Sequence, residues 1–131
     1  MDTRIFDITG SAMRAQSLRL NATASNLANA DSVASSPEEI YRSRHPVFAA
    51  VLDEEIGGVA SLGVVESARP GERRYDPDHP LADETGHIYA SNVDTVEEMT
   101  NMMSATRSYE SNVELLNTAR QLMIKTLQLG E

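Results

Sequence analysis

Residues 93–129 contain neither glycine nor proline, and nothing else in the chain limits its fold as strongly. Such a run reads as one helix, about 55 Å long at about 1.5 Å per residue. A compact chain of 131 residues has a radius of gyration of about 14 Å and a diameter of about 36 Å. The helix is therefore too long to be wrapped inside a globule made by its own chain. Thr95 and Glu98 are spaced as a capping box for its start. Gly130 is placed to end it in a left-handed turn.

Residues 1–30 lack proline and hold only Gly10. They read as another helix, capped by Asp2 or Thr3 and ended by Asn29-Ala30-Asp31-Ser32. Between the two segments lie all five prolines and most of the seven glycines. Short β-type runs occur there at Val47-Phe48-Ala49-Ala50-Val51, Leu62-Gly63-Val64-Val65 and His87-Ile88-Tyr89. Turn-rich stretches separate them at Gly57-Gly58, Arg69-Pro70-Gly71 and Asp76-Pro77-Asp78-His79-Pro80. The expected fold is mainly α with a small β-rich insertion. Residues 1–30 form the N-terminal helix, 31–92 the β-rich middle unit and 93–131 the C-terminal helix. The two helices are expected to pair as an antiparallel coiled coil, giving one core domain.

Each helix carries two apolar rows. In the C-terminal segment Met99, Met102, Thr106, Tyr109, Val113, Leu116, Arg120, Met123 and Leu127 follow heptad steps, weakened at Thr106 and broken at Arg120. Leu115, Leu122 and Leu129 make a second row beside it. In the N-terminal segment Ile5, Ile8, Ala12, Ala15 and Ala22 make one stripe, and Phe6, Met13, Leu20 and Leu27 another. One stripe serves one neighbour, so two stripes imply neighbours on two sides. Pairing of the helices should leave a stripe on each uncovered, and an exposed apolar stripe marks an interface. From pattern alone a plain helical hairpin with a β insertion, monomeric or dimeric, stays open beside an assembling subunit. A cytoplasmic coiled-coil adaptor or chaperone-like binding module is the alternative from another class.

Composition closes other routes. The formal charge of −9 repels a polyanion and argues against nucleic acid as a partner. That charge is concentrated in the middle, with +1 over residues 1–30, −7 over 31–92 and −3 over 93–131. The absence of cysteine removes disulfides, thiolate metal sites and a cysteine nucleophile. No apolar run reaches the roughly 18–20 residues that span a bilayer, and the N-terminus lacks the pattern of a cleaved signal peptide. The densest polar cluster, Asp76, Asp78, His79, Asp83, Glu84 and His87, fails as a calcium loop. Pro80 and Leu81 stand where a ligand and a glycine are needed, and His87 replaces the bidentate Glu. It reads as a solvated acidic turn. With no nucleophile elbow or phosphate loop, no catalytic, cofactor or metal residues are assigned. Asn26 and Asn29 read either as amides capping the first helix or as bonds across a helix contact. Asn117 either fixes register or faces water. Arg14, Arg19, Arg107 and Arg120 suit register-setting pairs with acidic neighbours.

The run Ser25-Asn26-Leu27-Ala28-Asn29-Ala30-Asp31-Ser32 resembles the signature of bacterial flagellar axial proteins. Asn92-Val93-Asp94, Glu98-Met99, Arg107-Ser108-Tyr109 and Leu116-Asn117-Thr118 resemble that family's C-terminal helix. Tyr75-Asp76-Pro77, His79-Pro80-Leu81-Ala82-Asp83 and the ending Lys125-Thr126-Leu127-Gln128-Leu129-Gly130 resemble its proximal-rod branch, while residues 33–62 match loosely. The resemblance implies a non-enzymatic structural subunit of the basal-body rod, the drive shaft that crosses the periplasm. It implies export by the flagellar type III apparatus, without a cleaved signal peptide or membrane insertion. The implied partners are other copies of itself, proximal rod proteins of the FlgB and FlgF types, the distal rod, the adaptor joining the rod to the export gate and MS ring, and the surrounding ring proteins. It also makes Ser25, Asn26, Leu27, Ala28, Asn29 and Ala30 its rod-signature motif. Isolated helices are marginal in water, so the two ends are expected to be frayed before incorporation and to order on docking.

Overall fold

The computed structural model describes residues 3–52 and 57–130. Its two long helices are α1 (Arg4–Ala28) and α2 (Thr95–Leu129), and between them run β1 (Val33–Ala34), β2 (Arg44–Leu52), β3 (Gly57–Glu66), β4 (Arg73–Tyr75) and β5 (His87–Ala90). The fold is mainly α with a small central β region, as expected. Asn26 meets Glu98 and Arg19 meets Asn101, so contacts climb one helix as they descend the other, and the pair is antiparallel.

The helix ends follow local chemistry. Thr3 stands at the N-cap of α1 but makes no side-chain cap bond, and Asp2, the other expected cap, lies outside the described residues. Asn29 closes α1, and its Nδ2 donates to the Ser25 carbonyl at 2.8 Å. The capping box expected at Thr95 and Glu98 is not formed. Asp94 caps α2 instead, its Oδ1 accepting from the N–H groups of Val96 and Glu97 at 3.1 and 3.2 Å. A carboxylate is a better N-cap acceptor than a hydroxyl beside the positive helix end, and this leaves Glu98 free to turn inward. Gly130 is also not left-handed: its φ is −83°, a final helical turn that any residue adopts.

The middle unit holds two sheets. Strands β1, β5 and β4 form a three-stranded antiparallel sheet in that order, and β2 and β3 form an antiparallel hairpin with an irregularity between Val47 and Phe48. The expected runs at 47–51, 62–65 and 87–89 fall inside β2, β3 and β5. Gly57-Gly58, expected as a turn, opens β3 instead.

Helix α1 is the hub. It packs against α2 and against both strands of the hairpin, whereas α2 packs along no element other than α1 among the described residues. The hairpin lies along α1, where Ser11 Oγ accepts from the Val59 N–H at 3.0 Å. Its second flank is thus met by its own chain. The buried positions of α1 are Thr9, Ala15, Thr23 and Asn26, and those of α2 are Glu98 and Ala105. The fully buried positions of the two helices are therefore small or polar, while their larger apolar side chains are half-buried.

Both terminal helices run their length in this structure, and along α1 each has the other for a wall. The match ends early, however. With 25 residues against 35, α1 is about 15 Å shorter than α2. Since the two are level near Asn26 and Glu98, the whole excess stands beyond the start of α1 as an overhang of α2.

Candidate assembly interface

The overhang and the outer face of α2 carry apolar side chains that nothing among the described residues covers. Leu122, Leu127 and Leu129 are 52, 67 and 87% exposed, and Ile124 and Leu115 are also open to solvent. Near the start of the helix Val96, Met99 and Met103 make an outward patch, 73, 54 and 66% exposed. Taking one Leu or Met side chain fully out of water contributes about 1.5–3 kcal/mol. Monomers rarely leave such contiguous apolar surface without a partner to cover it.

The residues singled out from sequence divide by helix. On α1, Ile5, Phe6, Met13, Leu20 and Leu27 are half-buried and only Ile8 is exposed. The expected free stripe on α1 is largely taken up by α2 and by the hairpin. On α2, Met102, Tyr109, Val113, Leu116 and Met123 are half-buried, while Met99, Leu115, Leu122, Leu127 and Leu129 are exposed. Sequence periodicity overlooked Val96, Met103 and Ile124. It also overlooked an exposed patch on the hairpin at Leu62, Val64 and Val65.

The rod-signature motif sits at the joint between the helix pair and the middle unit. Asn26 is fully buried. Its Nδ2 donates to the Arg44 carbonyl at 2.9 Å and to Glu98 Oε2 at 3.0 Å. Its Oδ1 accepts from the Tyr41 hydroxyl and from the Arg44 N–H, both at 2.9 Å. Both donors and both acceptor positions of the amide are used, and they tie α1, β2 and α2 through one side chain. Ser25 Oγ shares a 2.9 Å bond with the Tyr41 hydroxyl. Glu98 is itself buried, with His45 Nε2 at 3.7 Å from its other oxygen. Asn29 caps and Asn26 crosses, so each of the two open sequence readings applies to one residue. Leu27 and Ala30 are half-buried and Ala28 is exposed.

Asn92 repeats the device on the far side of the joint. Its Oδ1 accepts from the Ser43 N–H at 2.7 Å, and its Nδ2 donates to the carbonyls of Ser67 and Arg69 at 3.1 and 2.8 Å.

The acidic turn is organised around Asp83. Its Oδ1 accepts from the N–H groups of Thr85 and His87, both at 2.9 Å, and from the Thr85 hydroxyl at 2.7 Å. Its Oδ2 accepts from the Tyr89 hydroxyl at 3.0 Å. The His87 backbone donor first, and then the Thr85 hydroxyl, hold the Asp83 carboxyl well below the usual carboxylate range. Its hydrogen bond in turn pushes the Tyr89 phenol up. These bonds shape a turn. No group of three or more metal-ligating side chains is gathered among the described residues. No described helix is long and apolar enough to cross a membrane.

Comparison with known proteins follows the same outline. Residues 6–34 match a family described as flagella basal body rod protein, and residues 84–129 match the C-terminal family of flagellar basal body rod FlgEFG proteins. The chain is 51% identical to the flagellar basal-body rod protein FlgC of Salmonella typhimurium over 129 residues, covering 97% of this chain and 96% of that one. It is 52% identical to FlgC of an Escherichia coli O6:H1 strain and 49% identical to that of Yersinia enterocolitica, with the same coverage. Both helices and the joint between them lie within the matched residues.

Proposed function

The chain belongs to the FlgC family of flagellar basal-body rod proteins, and from that premise we propose that α2 is the main surface by which it enters the rod. It is a structural subunit of the flagellar basal body. Its role is mechanical rather than catalytic. The outward rows of α2 and its overhang are buried against neighbouring rod subunits, and the middle unit adds lateral contacts. Heterologous contacts whose rotation does not close build an open helical array, and such an array is a tube.

The subunit takes a place in the proximal, periplasm-crossing part of the rod and carries torque through many nearly parallel helix contacts. It reaches that place through the flagellar export apparatus without a cleaved signal peptide. Its neighbours are other rod proteins, the adaptor at the base, and copies of itself. The single observation that carries this reading is the apolar surface on α2 that α1 is too short and too narrow to cover.

Deletion of the gene, followed by a motility assay and imaging of purified basal bodies, tests it. Loss of swimming with basal bodies that stop before the rod is the expected result. Intact rods in the deletion strain would overturn it.

A further inference from the structure

We infer that the cleft between α1, β2 and α2 is a binding site for one small oxyanion, a phosphate or a carboxylate group. The cleft belongs to the single chain, so the site is independent of the rod assignment. It has a volume of about 210 Å3 and is lined by Arg19, Thr23, His45, Pro46, Phe48 and Asn101. Thr23 is buried and the other five are half-buried.

The key group is Arg19. A guanidinium is always charged and has five N–H donors, and an arginine withdrawn from water is ordinarily paired. Among the described residues Arg19 has no carboxylate partner and donates only to Asn101 Oδ1, from Nη2 at 3.4 Å. It stays unpaired in a chain with 20 acidic side chains, whereas Arg44, Arg69 and Arg74 each have a glutamate oxygen within 3.5 Å. The other polar groups of the cleft add donors. The Asn101 amino group and the Thr23 hydroxyl make no hydrogen bond among the described residues, and the Asn101 oxygen is already taken by Arg19. Glu98 does not line the cleft. One of its oxygens accepts from Asn26, and the other faces His45 Nε2 at 3.7 Å. The cleft therefore holds a surplus of donors around an unpaired cation, and an oxyanion is the ligand that answers both. Arginine offers parallel N–H groups to a carboxylate or a phosphate alike. The volume suits one small ion and is below that of a cofactor pocket. The group comes either from solution, as inorganic phosphate, or from an acidic side chain of a neighbouring molecule.

The experiment is an NMR titration of the full chain at constant ionic strength, following the side-chain N–H signals of Arg19 and Asn101. Inorganic phosphate is the probe in one arm and N-acetyl-aspartate methylamide in the other. Both signals are expected to move together and to saturate, with no such response to chloride. Arg19→Gln should weaken the fitted affinity about tenfold or more. Arg107→Gln, which removes an exposed cation outside the cleft, should leave it unchanged. Asn101→Asp keeps the side chain's size and supplies Arg19 with a carboxylate from within the chain. It should abolish the response while keeping the circular dichroism spectrum of the wild type, which separates loss of binding from loss of fold. Tighter binding of phosphate assigns the site to a free ion, and tighter binding of the blocked aspartate assigns it to a neighbour's side chain. Signals that move with neither probe, or a response that survives both Arg19→Gln and Asn101→Asp, overturn the inference.

Discussion

At the scale of single residues, the joint is held by Asn26, whose amide uses both of its donors and both of its acceptor positions. Replacing Asn26 by Ala leaves Arg44 N–H, Arg44 C=O and the buried Glu98 carboxylate without this partner. Each orphaned buried group costs about 1–3 kcal/mol, so Asn26→Ala should lower the unfolding free energy by about 3 kcal/mol or more in a urea titration. Asn117, the other candidate for a register-setting amide, is exposed, and Asn117→Ala should stay within about 0.5 kcal/mol of the wild type. Asp83 sets a pH dependence of a definite sign. Its carboxyl is held below the usual range in the folded chain, so the folded state favours the ionised form. The stabilisation is complete above the unfolded value and is lost as the pH falls through the depressed one. Asp83→Asn should flatten the acid limb of a thermal-melt series begun near pH 5. The same change removes the main cause of the raised Tyr89 pKa, and an ultraviolet titration should show one phenol ionising at lower pH than in the wild type.

At the scale of elements, the way the hairpin seats on α1 depends on two glycines. Gly58 has φ +151°, and a Cβ there would lie 2.6 Å from Ser11 Oγ; at Gly57 a Cβ would meet Ile8 at 3.4 Å. Gly58→Ala therefore adds both backbone strain and a clash, and should cost about 1–3 kcal/mol. The Val59 amide, which donates to Ser11, should exchange with solvent faster. Gly63, at φ +121° with nothing within 4 Å, separates the two effects, since Gly63→Ala carries the strain alone. These glycines also mark what could be read in advance. Helix limits were legible because proline, glycine and capping residues act within a few positions of themselves. Strands β2, β3 and β5 were legible from their β-branched and aromatic runs. Strands β1 and β4 are two and three residues long and exist only because β5 lies between them, a fact about distant sequence. Gly57-Gly58 looked like a turn because local propensity does not register that a helix crosses close by. Glu98 looked like a cap because a capping box is read from spacing, and spacing does not show that Asp94 takes the N-cap place while Glu98 turns to Asn26. The apolar rows were visible from their period, but a period does not say which face points inward. Small and polar residues hold the fully buried positions, and the leucines and methionines divide between half-buried and exposed ones.

For the whole molecule, the consequence of unequal helices is unequal stability along α2. From Glu98 to about residue 118 the helix has α1 beside it, with Ala105 fully buried; past that point it has none. A helical stretch of about ten residues without a tertiary wall is marginal in water, and such segments open locally well below the global unfolding free energy. Hydrogen exchange should therefore divide α2 in two, with amides between Met102 and Leu116 protected and those from Leu122 onward exchanging many-fold faster. Brief trypsin treatment of the free chain should cut first after Lys125 and Arg120, both on exposed positions, and only later after the half-buried Arg19. Incorporation supplies the missing wall, and the same two bonds should then resist cleavage in isolated basal bodies. Uniform protection along α2 in the free chain would mean that some other part of the molecule covers the overhang, and the surface assigned to assembly would no longer be free. The segment that is loosest in the single chain is also the most apolar and the most basic part of α2, so the order it gains on docking and the surface it buries there arise in one step.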